Sequence, residues 1–469
     1  MLKKLLAFLM VAGSAIANEK PNIIYLLVDD LGYGDLSLYG QKKFSTPNID
    51  RIGKEGMVFT DHYSGSTVCA PSRAALMTGK HSGHGLVRGN YEVGPHGFGG
   101  ELPLRPEDVS LAEVMKSAGY ATGLIGKWGM GMDGTTGEPR KKGFDYSYGF
   151  LNQAHAHHYY PEYIYENGEK LMIPENKDDA RGLYISDTFA EKGIEFVEEN
   201  KDKPFFLFWA FVTPHAELLV PDDSLNEFKG KWPETPFVMG KQGGDGTDNP
   251  FGVYASQDHP RAAFSGMITR LDKRVGDLFD KLEELGIDDN TIIMFSSDNG
   301  PHKEGGADPD FFDSNAELTG YKRDLTEGGI RVPFMVRWPN VVKARSKSSH
   351  ASAFWDVMPT IAEIANTDSP EDIDGLSFLP ALKGEKQQVH KHLYWEFHER
   401  GYTEQALRMG NWKAIRHGVN SPIKLYDLIS DESEQNDVSA KYPATAKHIT
   451  NILDTERTDS ELWPLKEKK

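Results

Sequence analysis

The sequence has almost no cysteine. Cys69 is the single one in 469 residues, so no internal disulfide can form and stability must come from a packed core. Long hydrophobic runs are also scarce. The apolar stretch from Leu5 to about Ala12 is far shorter than the roughly 20 residues a membrane span needs. Positive charge is in deficit: 52 Lys and Arg stand against 70 Asp and Glu, a formal net charge of −18. That balance argues against nucleic acid and anionic lipid as partners. Any anionic ligand must be caught by a local cluster of cations. Internal repeats and low-complexity tracts are absent as well, which excludes solenoids and propellers.

The N-terminus carries the pattern of an export signal. Lys3 and Lys4 precede the apolar stretch, and Ala15-Ile16-Ala17 forms an A-x-A-like cleavage site. Residues 1–17 are expected to be removed, and losing their two lysines takes the net charge from −18 to −20. The mature chain is then expected to be periplasmic or secreted. An odd cysteine in an exported protein is either a bland buried thiol or a reactive group.

Apolar runs and helical patterns alternate through the first part of the chain, which predicts an α/β fold with a mostly parallel sheet flanked by helices. Three runs, "NIIYLLVDD" (22–30), "PFFLFWAFVTPH" (204–215) and "NTIIMFSSDNG" (290–300), lack polar alternation, as strands buried on both faces do. Ligands bind outside the carboxyl ends of such strands. Asp29, Asp30, His215, Asp298 and Asn299 therefore converge on one rim. Their oxygens suit Ca²⁺ or Mg²⁺ rather than zinc. After residue 385 the pattern changes to antiparallel strands and a closing helix, so a domain over 18–385 and a small α+β unit over 386–469 are expected.

Cys69 opens the helical stretch "CAPSRAALMTG". A helix N-terminus favours an anion or a thiolate, and Arg73 lies about one turn on. A nucleophile, an anion hole and a divalent cation together suit displacement at sulfur or phosphorus.

"CAPSR" matches the C-x-P-S-R signature of type I sulfatases, and the resemblance covers nearly the whole mature chain. "LLVDDLGYGDLSLYG", "GYATGLIGKWGMG", "VTPHAELL", "FSSDNGPH" and "YKRDLTEGGIRVP" follow in the family's order. The resemblance implies an alkaline-phosphatase-like large domain. It also implies that Cys69 is oxidised to formylglycine (3-oxoalanine) by a formylglycine-generating or sulfatase-maturating enzyme. One Ca²⁺ per chain would be held by Asp29, Asp30, Asp298 and Asn299 beside residue 69. Arg73 would fix the formylglycine, Lys127 and Lys322 would contact sulfate, and His215 would act as general acid.

One position departs from the family. Many sulfatases carry a histidine two residues after the Lys127 equivalent, and here it is Gly129. The segment "LNQAHAHHYYP" (151–161) offers replacements, His157 first and His155 second. The resemblance further points to a sulfated carbohydrate, with a galactose- or hexosamine-type unit as the expected substrate. Arg88, Asn90, His155, Tyr159, His302 and Arg323 are its candidate contacts, alongside a polar loop over 240–252. The competing readings are a broad arylsulfatase, a phosphoester hydrolase of the same superfamily and a non-catalytic glycan-binding descendant.

Overall fold

A computed structural model describes residues 20–90, 101–239 and 254–468. The export signal and the 240–252 loop lie outside the described residues. Sixteen strands form three sheets among them. In chain order, β1 is Asn22–Val28, β2 Met57–Phe59, β3 His62–Tyr63, β4 Ala121–Lys127, β5 Tyr146–Phe150, β6 Tyr163–Glu166, β7 Glu169–Met172 and β8 Phe205–Ala210. Then come β9 Thr291–Ser297, β10 Phe334–Arg337, β11 Ser346–Ser348, β12 Ser352–Ala353, β13 Leu393–Phe397, β14 Glu404–Met409, β15 Trp412–His417 and β16 Lys424–Asp427.

The central sheet has ten strands in the order β11-β2-β10-β9-β1-β8-β4-β5-β6-β7. Its middle, β9 to β5, is parallel throughout. Antiparallel pairs occur towards both edges, at β9–β10 and β10–β2 on one side and β5–β6 and β6–β7 on the other. Alternate residues of β1 feed two cores. Ile24, Leu26 and Val28 pack with the helices Pro47–Glu55, Ile185–Asn200 and Pro260–Glu284 on one face. Ile23, Tyr25 and Leu27 pack with Cys69–Thr78, Leu111–Ser117 and Val357–Ile364 on the other. Burial on both faces is why the strand reads as one continuous apolar run.

Register then places the site. Val28 pairs with Ser297, Leu27 with Ala210, and Gly126 with Ala210. Asp29, Asp298, Lys127 and the 211–215 turn therefore emerge side by side at the carboxyl edge.

β13 to β16 make the separate antiparallel sheet of four strands. Helix Pro443–Thr455 covers one face through Ile449 and Leu453, which pack on Tyr394, Leu407 and Leu425. The other face, with Trp395 and Ile415, packs on Val68 and Ala75 around the Cys69 helix. The Cys69 helix and the C-terminal sheet thus share one core.

Candidate active site

Helix Cys69–Thr78 is buried along its entire length and ends at Gly79 in the left-handed conformation. Its N-terminus is satisfied from outside: the Ala70 amide donates to Asn90 Oδ1 at 3.0 Å, and the Ser72 hydroxyl turns back to accept from Gly65 N. Cys69 Sγ donates to Asp29 Oδ1 at 3.3 Å. Burial, then the charge of Asp29, pushes the thiol well above its ordinary pKa. An unmodified Cys69 is therefore a protonated donor here, which argues against a cysteine hydrolase.

Arg73, fully buried, organises the floor. Its Nε and Nη2 both reach Asp298 Oδ2 at 2.9 Å, and Nη1 donates to the Lys127 carbonyl at 2.8 Å. Lys127 Nζ reaches Asp29 Oδ2 at 2.7 Å. On the far side Lys322 Nζ lies 2.9 Å from Asp30 Oδ2, 3.1 Å from Glu304 Oε2 and 2.9 Å from His215 Nε2. Three cations thus face three carboxylates, Asp29, Asp30 and Asp298, all with no exposed surface. Burial alone would raise Asp29, yet the neighbouring cations, Lys127 first and Arg73 with it, hold it well below the carboxylate range. Asp298 goes the other way, to about 7, through burial and the adjoining charge of Asp29.

The donor set fits a hard divalent cation. Asp29, Asp30 and Asp298 supply carboxylate oxygens, and Asn299 Oδ1 is buried without a partner among the described residues. Its Nδ2 meanwhile ties to Asp30 Oδ1 at 2.6 Å. A lone amide oxygen beside carboxylates, one of them pushed towards protonation by its neighbours, is the environment a bound Ca²⁺ relieves.

His215 follows β8 and is 1 % exposed. Its Nδ1 meets the Ala216 carbonyl and its Nε2 accepts from Lys322, so the neutral ring carries its proton on Nδ1. Burial and then Lys322 hold its pKa well below the ordinary value. Two further imidazoles sandwich it: His157 at 4.4 Å and 11°, and His302 at 5.5 Å and 15° between ring centroids and planes.

Several expected substrate contacts are used elsewhere. His302 is buried, with Nδ1 accepting from Glu304 N and Nε2 donating to the Pro214 carbonyl. Both ring nitrogens are committed to backbone, so it braces the turn that carries His215. Tyr159 does the same from below, its hydroxyl lying 2.8 Å from the Val212 carbonyl and 2.9 Å from that of His215. Asn90 caps the Cys69 helix. Arg88, 2 % exposed, pairs with Glu396 of β13 at 2.7 Å and with the Thr458 carbonyl; it is a tie to the C-terminal unit. His155 is 3 % exposed and packs against Phe150 and Tyr163, apart from the cluster. Of the six, Asn90 and Arg323 reach solvent, Arg323 with 41 % of its side chain exposed and paired to Glu304. Glu304 and Tyr254, which lies 5.4 Å from His157 and bonds Glu304, escaped the sequence reading. Neither belongs to a spacing that marks it apart from ordinary rim residues.

The arrangement matches known proteins over almost its full extent. The family model described as Sulfatase matches residues 21–367. The chain belongs to the sulfatase family. A second model, described as N-sulphoglucosamine sulphohydrolase, C-terminal, matches residues 319–459. An N-acetylgalactosamine-6-sulfatase of Canis lupus familiaris is 30 % identical over 433 residues, covering 86 % of this chain and 73 % of its own. An N-acetylgalactosamine-6-O-sulfatase of Bacteroides thetaiotaomicron is 29 % identical over 501 residues, covering 94 % of each. The solved structure of Ps i-CgsB in complex with k-i-k-neocarrahexaose superposes with a TM-score of 0.78 at 30 % identity over 93 % of each chain. This sulfatase is thus an enzyme with the large mixed sheet and the small C-terminal sheet of its relatives. No helix among the described residues is long and apolar enough to cross a membrane.

Proposed function

We propose that this sulfatase hydrolyses the sulfate ester of a carbohydrate, with a galactose- or hexosamine-type unit as substrate, outside the cytoplasm. The observation that carries the reading is the single buried cluster in which Lys322 bridges His215 and Asp30 opposite Cys69 and Asp29. The names of the relatives that act on N-acetylgalactosamine 6-sulfate support the hexosamine.

Asp29, Asp30, Asp298 and Asn299 would hold Ca²⁺, which supplies positive charge for the sulfate oxygens. Cys69 oxidised to formylglycine supplies a hydrated aldehyde, one hydroxyl for attack on sulfur and a second for expelling sulfate. The chain's own groups do the rest. Arg73 is locked by Asp298 and the Lys127 carbonyl, so the helix bearing residue 69 cannot rotate away. Lys127 and Lys322 bind the anionic ester, and the neutral rings of His157 and His215 wall its pocket. In the free enzyme Lys322 keeps His215 unprotonated at Nε2. An incoming anion draws the Lys322 ammonium and raises the affinity of Nε2 for a proton, which His215 then delivers to the leaving sugar oxygen. His302 and Tyr159 hold the His215 backbone while this happens. Arg323, Glu304 and Tyr254 offer charge and hydroxyl to sugar hydroxyls at the rim.

The test is co-expression with a formylglycine-generating enzyme, mass spectrometry of the Cys69 peptide, and anion release from sulfated monosaccharides, aryl sulfates and phosphate esters. Conversion with release from a galactose- or hexosamine-type sulfate is the expected result. Full conversion with release only from phosphate esters, or from nothing, would overturn the reading.

A further inference from the structure

Gly129 stands where the chain lacks a side chain, and the structure shows what fills the space. Its φ is +82°, a left-handed conformation that glycine adopts without strain. A Cβ built there would lie 1.7 Å from Gln153 Nε2 and 2.7 Å from its Cδ. The carboxamide of Gln153 therefore occupies the volume that a residue at 129 would claim.

That carboxamide has no partner. Gln153 is 8 % exposed, and neither Nε2 nor Oε1 makes a hydrogen bond among the described residues. Its backbone is held firmly, since its amide donates to Glu101 Oε1. A buried primary amide with two donors and an acceptor unused is costly, and native folds rarely keep one unless a ligand or water completes it.

The surroundings identify the kind of ligand. Lys127 pairs with Phe150 in the sheet, and the pairing runs on through Trp128 N to Phe150 O and Gly129 N to Leu151 O. Gln153 follows two residues after Leu151 and folds back over Gly129. Two residues before Gly129, Lys127 binds Asp29 and its carbonyl binds Arg73. Four residues after Gln153, His157 stacks on His215. Along the chain, the idle amide and the glycine it covers each lie within four residues of a member of the active-site cluster. A neutral amide donates to anionic or hydroxyl oxygens without adding a titrating group.

We infer that the Gln153 carboxamide is a hydrogen-bonding ligand of the tetrahedral oxygen group held at the site during turnover. The oxygens come either from sulfate or from the hydroxyls carried by residue 69. The inference rests on the sulfatase reading above and adds Gln153 to it as a catalytic residue.

Gln153→Leu keeps the shape and removes the polar atoms. Because the amide is unpaired, the melting temperature is expected to stay within about 2 °C of wild type or to rise. kcat/KM for the sulfated substrate is expected to fall at least about tenfold. Titration of inorganic sulfate into the unconverted Cys69 protein with Ca²⁺ present separates the sources. Weaker binding in the variant assigns the contact to sulfate. Unchanged binding, with kcat reduced and KM constant in the converted enzyme, assigns it to the residue 69 hydroxyls. Unchanged kinetics and binding would overturn the inference, as would losses that merely track a lowered melting temperature. If wild type releases no sulfate from any substrate, the sulfatase reading fails separately and the sulfate titration, run on both the unconverted and the converted protein, decides Gln153: weaker binding in either supports its role and unchanged binding in both refutes it.

Discussion

Arg88→Met asks whether an arginine beyond the Cys69 helix serves the substrate or the fold. Glu396, fully buried, accepts from Arg88 at 2.7 Å, Arg457 at 2.9 Å and the Tyr394 hydroxyl at 2.8 Å, with His398 Nε2 at 3.0 Å. Burial opposes its charge, yet His398 and Arg88 lead the partners that hold it at about 2 against an ordinary 4.5. At 1.36 kcal/mol per unit that shift corresponds to about 3 kcal/mol for all partners together. Removing one member of a buried pair costs about 3–5 kcal/mol. Since Arg457 and His398 remain, about 2–3 kcal/mol is the expected loss. With an unfolding entropy of about 2.1 cal/mol/K per residue, 469 residues convert this to a melting shift of about 2–3 °C. The sign with pH follows from the depressed value. The stabilisation is complete above pH 4.5 and disappears as pH falls towards 2, so the gap between wild type and variant in urea midpoints should close over that window. kcat and KM should stay within about twofold. A tenfold rise in KM at unchanged stability would refute the ion-pair argument and return Arg88 to the substrate.

Two further outcomes follow from the same geometry. Chelation of the unconverted protein should lower its melting temperature. Restoring Ca²⁺ to about 100 times its dissociation constant should recover about 2.7 kcal/mol, whereas Zn²⁺ should not substitute; indifference to Ca²⁺ would remove the metal from the reading. His302→Leu leaves the Pro214 carbonyl without its donor and loosens His215, so kcat should drop about tenfold with KM steady; a rise in KM alone would make His302 a substrate contact instead.

The large sheet was legible because its middle strands are buried on both faces. Residues 22–28, 205–210 and 291–297 read as apolar runs, and each leads into polar residues at the same edge. The short antiparallel pairs β10–β2 and β6–β7 were not, since three or four residues carry too little periodicity and β7 is exposed throughout. Around the site, proximity to the rim could be inferred, but the direction of a side chain could not. Arg88 and His302 both sit in polar segments near catalytic positions. What decides their role is a buried carboxylate 308 residues away in one case and a carbonyl 88 residues away in the other. Spacing along the chain has no access to either.

Gly129 is the sharpest instance. Sequence reveals a missing histidine, and from that alone a lost function and a relocated one are equally consistent. The left-handed φ and the Gln153 amide 1.7 Å from the absent Cβ tie the two positions together: a side chain at 129 and the Gln153 amide cannot occupy that point at once. Exchanging an imidazole for an amide keeps a hydrogen-bonding group at that point and removes its ability to take a proton near neutral pH. Any proton released there must then leave through the remaining bases, of which the half-buried His157 stacks on His215, the proposed general acid, at 4.4 Å.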